Sequence, residues 1–338
     1  MKKLISVVIP CYNEEGNVVA IGEAVAAELE KLTKYDWEIL YIDNCSKDGT
    51  RALIRQMCAR DKRFKAIFNV KNFGQFNSPY YAICQAHGDC VMCLCADFQD
   101  PVELIPRFVE GWEEGYQIVC GVKTTSKENK LVYHLRSLYY KLIKKMSSCE
   151  QIEHFTGFGL YDRSFVDTLR GLHDPLPFLR GIVAELGGPR KEIPYEQPLR
   201  RSGKTHNNWY TLYDAAMLSF TSYTKIGLRL AVFAGAIFSA LGFLIALAYL
   251  VMKLIFWDRF VAGQAPTLIG VFLLGSIQLF FIGLMGEYIM SINSRMMNRP
   301  LVVEQERINF DDASTRLSPA DEPPAQKQAT DESAAHSA

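Results

Sequence analysis

The chain carries no excess of charge of either sign: 37 Lys and Arg face 37 Asp and Glu, for a formal net charge of zero. That balance excludes a broad basic nucleic-acid-binding surface as its main business. Charge is also missing locally. No charged residue occurs from Leu230 to Met252, and none from Phe260 to Gly286. At ~1.5 Å per residue, each run is long enough to cross a hydrocarbon core of ~30 Å. Neither run has the polar stripe of a soluble surface helix. Nine cysteines are present, but Cys90, Cys93 and Cys95 have no second Cys pair or His pair at metal-finger spacing. They read as small buried residues of a strand, in a reducing compartment. A secretory leader is also missing: Met1-Lys2-Lys3 runs straight into a short strand-like stretch, so the soluble part is expected to stay in the cytoplasm.

What is present is an alternation. Leu4 to Pro10 is a continuous apolar, β-branched run, the mark of a strand covered on both faces. A polar loop (Cys11 to Asn17) and an amphipathic helix (Val18 to Leu32) follow it. Trp37 to Ile42, Phe64 to Asn69 and Cys90 to Cys95 read as further strands, with helices to Arg60 and from Pro79 to His87 between them. Beyond these come a helix from Pro101 to Glu114, a strand from Tyr116 to Val122 and a basic helical stretch from Lys130 to Met146. Such alternation predicts a mostly parallel sheet with helices on both faces and ligands at the carboxyl ends of its strands. Three polar loops fall at those ends: Cys11–Asn17, Asp43–Thr50 and Asp97–Asp100.

The third loop bears the most distinctive chemistry. In Val91-Met92-Cys93-Leu94-Cys95-Ala96-Asp97-Phe98-Gln99-Asp100-Pro101, an apolar run ends in three oxygen-bearing side chains and a proline. Extended geometry would put Asp97 and Gln99 on one face. Hard oxygen ligands of this kind suit Mg²⁺ or Mn²⁺, ions that usually carry phosphate. An acidic turn capping a strand is the alternative, with Pro101 opening the next helix.

Taken together, the motifs resemble family 2 glycosyltransferases that act on polyprenyl phosphates, the group of dolichol-phosphate mannose synthase and undecaprenyl-phosphate glucosyltransferases. The carriers are Val8-Ile9-Pro10-Cys11-Tyr12-Asn13-Glu14-Glu15, Ile42-Asp43-Asn44-Cys45-Ser46-Lys47-Asp48-Gly49-Thr50 and Ala96-Asp97-Phe98-Gln99-Asp100-Pro101. Gly157-Phe158-Gly159-Leu160-Tyr161-Asp162-Arg163 and Arg200-Arg201-Ser202-Gly203-Lys204-Thr205 match as well. The resemblance implies a Rossmann-like α/β domain of the GT-A type. It also implies inverting transfer of a sugar from a UDP- or GDP-linked donor to undecaprenyl or another polyprenyl phosphate, for cell-surface glycans.

By the same resemblance, Pro10, Tyr12, Glu14 and Asp43 would hold the nucleotide sugar. Asp97 and Gln99 would hold the Mg²⁺ or Mn²⁺ that bridges the diphosphate. Arg200, Lys204, Thr205 and His206 would close over the phosphates. Asp97 and Asp100 are the catalytic candidates, Asp100 as the first choice for a base. The chain departs from the family pattern in carrying Cys95, Asn44 and Gly157 where acidic residues are usual, and His206 where a lysine is usual. Those departures keep a second reading open, a catalytically impaired transferase acting as a membrane scaffold. A processive polysaccharide synthase is excluded by too few spans and the missing Gln-x-x-Arg-Trp motif.

The expected layout is a cytoplasmic transferase domain (1–207), an interfacial amphipathic helix (208–227) and two membrane helices (228–257 and 264–290). A juxtamembrane segment (291–310) and a disordered tail (311–338) would follow. Lys225, Arg229, Arg295 and Arg299 flank the apolar pair on its outer ends, which favours a hairpin in the inner (plasma) membrane with both termini cytoplasmic. The family's layout is also compatible with a homo-oligomer.

Overall fold

The computed structural model describes residues 2–125, 152–198, 200–201, 209–223, 226–255 and 264–310, with part of the side chains in the last three helices. The expected basic helix from Lys130 to Met146, Lys204, Thr205, His206 and the 311–338 tail lie outside the described residues.

Strand β1 (Lys3–Cys11) is apolar on both faces, and Ile5, Val7, Val8 and Ile9 are fully buried. It pairs in parallel with β2 (Tyr35–Asp43) on one side and β4 (Cys90–Cys93) on the other. Strand β3 (Phe64–Asn69) extends the sheet in parallel beyond β2. Helices α1 (Val18–Glu30), α2 (Thr50–Arg60) and α3 (Gly74–Gln85) make the crossovers. Val18, Ile21, Val25 and Leu29 recur at helical spacing and form the buried face of α1. On that face Gly22 is demanded by close approach: a Cβ there would lie 1.8 Å from the Tyr41 hydroxyl, which donates to the Val18 carbonyl at 3.1 Å.

The strand order is β7-β5-β6-β4-β1-β2-β3-β8. The sheet is mixed: the expected parallel pairing holds for β1 to β4 and again between β5 and β7, with antiparallel pairs elsewhere. Strand β6 (Phe155–Asp162) runs antiparallel to both β4 and β5 (Ile118–Thr125), and β7 (Arg190–Glu196) lies parallel to β5. Apolar patterning marks a strand but not its direction, so the sequence could not report this. The outer layers are completed by α4 (Ile105–Glu113), α5 (Arg163–Gly171) and α6 (Leu179–Leu186). Strands β1, β2 and β3 step one way across the sheet while β4 sits on the far side of β1, so a crevice opens between the loops leaving β1 and β4.

The C-terminal part comprises α7 (Trp209–Tyr223), α8 (Ile226–Ile255) and α9 (Gln264–Met296). The described side chains of α8 and α9 are interrupted by undescribed positions, and among the described residues no helix is long and apolar enough to cross a membrane. Those that are described carry large exposed apolar groups: Val232, Phe233, Ile237, Leu279, Phe280 and Ile282 are each more than half exposed. After α9 the chain returns to the sheet as β8 (Glu304–Ile308), antiparallel to β3. Arg55 pairs with Glu306 at 2.6 Å, and the Asn309 amide donates to the Cys58 and Phe64 carbonyls, each at 2.8 Å. Of the expected juxtamembrane segment, the first residues thus continue α9 and Glu304–Ile308 joins the sheet.

One buried charge ties the strands together. The Glu38 carboxylate on β2 is 3 % exposed. It accepts from the Ser6 hydroxyl at 2.6 Å and the His87 N–H at 2.9 Å, and pairs with Lys65 at 2.8 Å. Burial alone would push this carboxyl up, but the donors from His87, Lys65 and Ser6 outweigh it and hold it at about 2, against 4.5 when free. A depressed carboxyl stabilises the fold above its unfolded value and loses that contribution as pH falls through 4.5 toward 2. Roughly 3 kcal/mol is at stake. Thermal unfolding followed across that range should show the wild type losing stability, while Glu38→Gln is less stable at neutral pH and converges with it at pH 2–3.

Candidate active site

The loops leaving β1, β2 and β4 share a backbone signature. Asn13, Cys45 and Phe98, one in each, adopt left-handed φ of 56°, 64° and 61°. Such conformations cost a non-glycine residue about 1 kcal/mol or more and persist where the surroundings hold them.

In the third loop the holding is done by Asp100, which is 3 % exposed. One carboxylate oxygen accepts from the Cys95 N–H at 3.0 Å and the other from the Tyr195 hydroxyl at 3.1 Å. Burial pushes its carboxyl up, against the opposing pull of the Cys95 N–H, Lys123 and Tyr195. These bonds turn the chain off the sheet, so β4 ends at Cys93 and not at Cys95. Leu94 still donates its N–H to the Val8 carbonyl of β1 at 3.1 Å, and Cys95 to Asp100 is thereby freed as a rim loop. Asp97 is also buried, at 4 % exposed. Its Oδ1 accepts the Gln99 N–H at 3.1 Å, while its Oδ2 accepts Arg200 Nε at 2.8 Å and lies 2.7 Å from Arg200 Nη2.

A cleft of about 840 Å³ opens above these loops. Pro10, Tyr12, Glu14, Asp97, Asp100 and Arg200 all line it. Two other expected site residues do not. Asp43 is fully buried and bound by the Ser46 N–H at 3.1 Å and by Arg51 Nε at 2.5 Å, and its neighbour Asn44 lines the cleft instead. Gln99 is absent from the lining because the left-handed turn at Phe98 breaks the extended alternation that would have paired it with Asp97. From the rim the cleft runs on to the C-terminal helices, where Met217 and Leu218 of α7 and Met290 and Ser294 of α9 form its far wall.

Residues 6–170 match the description "Glycosyl transferase family 2". An uncharacterized glycosyltransferase of Bacillus subtilis, YkcC, is 30 % identical over 302 residues, spanning 89 % of this chain and 93 % of that protein. The chain belongs to glycosyltransferase family 2. A bactoprenol glucosyl transferase of Shigella phage SfX is 29 % identical over 304 residues, covering 90 % of this chain and 99 % of that one. Among solved structures, mannosyl-3-phosphoglycerate synthase from Rubrobacter xylanophilus overlaps 64 % of this chain and 71 % of its own, at 18 % identity and a TM-score of 0.46.

In this glycosyltransferase the donor set for a divalent cation is small. Among the described residues no group of three or more His, Cys, Asp or Glu side chains could hold a metal ion. Asp97 suits one as a single hard ligand, and the Arg200 guanidinium already stands on it as a cation. The site thus fits a cation that takes its remaining ligands from a bound diphosphate, the manner in which Mg²⁺ usually binds. Gly157, at φ +101°, lines the cleft with nothing within 4 Å of where its Cβ would be. The acidic residue usual there would meet backbone strain, not crowding.

Sequence reasoning missed Arg180, at the start of α6, and Asn72, both of which line the cleft. Arg180 had no signal, since a lone arginine in an irregular stretch looks like surface charge. Asn44, read only as a departure, is the hub of the loop after β2. Its Nδ2 donates to Asn72 Oδ1 at 2.8 Å and the Gly74 carbonyl at 3.1 Å. Its Oδ1 accepts from the Phe73 N–H, the Ser78 hydroxyl and Asn69 Nδ2 at 2.8, 2.9 and 3.2 Å. A carboxylate could keep the accepted bonds but not the donated ones. Restoring the family's acid with Asn44→Asp should therefore destabilise the protein by about 1–3 kcal/mol, since two acceptors would face a buried charge. Equilibrium unfolding measures this directly, and an unchanged midpoint would refute it.

Proposed function

We propose that this glycosyltransferase moves a sugar, with inversion, from a UDP- or GDP-linked donor to a polyprenyl phosphate at the cytoplasmic face of the membrane, for cell-surface glycan assembly. The observation that carries the reading is the continuity of the cleft, from the polar rim of Tyr12, Glu14, Asn44 and Asp97 to the Met217, Leu218 and Met290 wall on the helices. A donor that is polar and an acceptor that is a lipid need those two ends in one cavity. The relatives named bactoprenol glucosyl transferase, similar through the helical region as well, point to the same acceptor class.

The chemistry follows from charge. A Mg²⁺ or Mn²⁺ ion held by Asp97 and the donor diphosphate would supply neutralisation of the leaving group. Arg200 is in reach of the same phosphates, and the adjoining Lys204, Thr205 and His206 are assigned there on the motif alone. Asp100 sets the shape of the rim loop. With both of its oxygens engaged, its use as a base would require those bonds to break first. A lipid monophosphate has its second ionisation near ~6 and is largely dianionic at neutral pH, so it needs positioning more than deprotonation.

The membrane assignment rests on the exposed apolar groups of α8 and α9 and on β8. Helices of 30 and 33 residues would each span ~45 Å or more. Because β8 pairs with β3, the chain re-emerges from the helices on the side of the catalytic domain. An even number of crossings satisfies that constraint, as a hairpin does. The basic residues at its outer ends favour the cytoplasm for that side.

Membranes containing the protein should be incubated with undecaprenyl phosphate and separate labelled UDP- and GDP-sugars, with and without Mn²⁺. Label entering the lipid fraction from one donor is expected. No transfer from any donor by intact protein would favour the scaffold reading. Asp97→Ala is expected to reduce transfer at least ~100-fold, and near-normal turnover would remove Asp97 from the reaction.

A further inference from the structure

The group expected to meet the cation and the group expected to meet the phosphates are bound to each other. Asp97 Oδ2 takes two guanidinium nitrogens of Arg200, at 2.8 and 2.7 Å, and its other oxygen is held by the Gln99 N–H. The carboxylate side chain is 6 % exposed and the guanidinium side chain 28 %. Two further contacts hold the Arg200 loop down: the Arg201 N–H donates to the Asp97 carbonyl at 3.3 Å, and the Arg201 guanidinium lies 5.2 Å from the Phe98 ring centre. The segment therefore closes on the same turn that presents Asp97 to the cleft.

We infer that the Asp97–Arg200 pair is a latch that makes the divalent cation and the nucleotide diphosphate bind as a unit, neither being taken up well alone. This rests on the reading of the cleft as a nucleotide-sugar site. A cation arriving alone must displace the guanidinium from a nearly dry carboxylate and leaves Arg200 without an anion. Stranding one member of such a pair is costly. A diphosphate arriving alone brings negative charge to Asp97 while Arg200 is still engaged there. Arriving together, they allow an exchange of partners: the cation takes Asp97 and the diphosphate, and the guanidinium moves to the phosphate oxygens, which suit its donor geometry. No covalent bond changes and no ion pair is lost.

The small donor set fits this arrangement. With both Asp100 oxygens engaged by Cys95 and Tyr195 and no three-residue cluster among the described residues, the protein alone offers a cation little. The replacement of the usual acid by Cys95 acts in the same direction, since a thiol is a softer ligand than Mg²⁺ or Mn²⁺ prefers.

The test is Mn²⁺ binding to the full-length protein in detergent, read from the electron paramagnetic resonance of the free ion, alone and with UDP or GDP. In the wild type, one nucleotide should tighten Mn²⁺ about 30-fold or more, and by linkage Mn²⁺ should tighten that nucleotide by the same factor in calorimetry. In Arg200→Ala, Mn²⁺ alone should bind about tenfold tighter than in the wild type, and the nucleotide's effect should shrink about tenfold. Arg200→Lys, which keeps the charge but not the fork, should shift both in the same direction by less, and it carries the test if the alanine variant does not fold. Nucleotide-dependent Mn²⁺ binding that is unchanged in both variants overturns the latch and leaves the donor-site reading standing. Absence of Mn²⁺ binding with either nucleotide, in all three proteins, overturns both.

Discussion

The candidate site depends on how one buried carboxylate is used. Asp100 ties the Cys95 N–H and the Tyr195 hydroxyl to its two oxygens, which ends β4 and bends the chain away from β1. Without that bend, the extended run would continue beside β1 and the Asp97 loop would not stand at the rim. Tyr195 comes from β7 at the far edge of the sheet, so the turn after a central strand is braced from outside. The bond also links the two parts of the mixed sheet, which would otherwise meet only along β4 and β6.

Three buried polar groups on β2 and the loop after it have their partners supplied. Glu38 has Ser6, His87 and Lys65; Asp43 has Ser46 and Arg51; Asn44 has bonds to both halves of its amide. A buried polar group is tolerated when its hydrogen bonds are made and costly when they are not. This explains how the rim can hold three left-handed non-glycine residues without loosening. Arg51 joins two of these arrangements, because the guanidinium that holds Asp43 also donates to Gln305 on β8 at 2.9 Å. The loop after β2 is thus tied to the strand that follows the long helices.

That return strand constrains the helices as well. Chain leaving α9 into β8 is anchored to the transferase domain, and Arg295 near the end of α9 pairs with Asp174 at 2.7 Å while donating to the Ser222 hydroxyl of α7 at 3.0 Å. The far wall of the cleft, built by α7 and α9, is therefore tied to the domain through the end of α9. Its apolar groups and the polar rim belong to one cavity for that reason.

Much of this was legible in the residues. The apolar run from Leu4 to Pro10, the helical spacing in α1 and the polar loops after three strands are local patterns, and local patterning decides secondary structure and which strand ends meet a ligand. Two runs without charge likewise announced the long helices. The periodicity argument failed at Gln99, where a left-handed Phe98 ends the extended geometry, and α3 begins at Gly74, ahead of the expected Pro79. Asp43 was expected at the nucleotide from the family resemblance alone; Arg51, eight residues on, folds back and covers it. The sequence by itself determined the element order, the family motifs and the apolar helices, all of which are written in neighbouring residues. Only the tertiary structure decided the strand directions, the return of β8 and the pairing of Asp97 with Arg200. Those depend on residues up to about a hundred or more positions apart meeting in space, and no local pattern encodes which charge will find which partner.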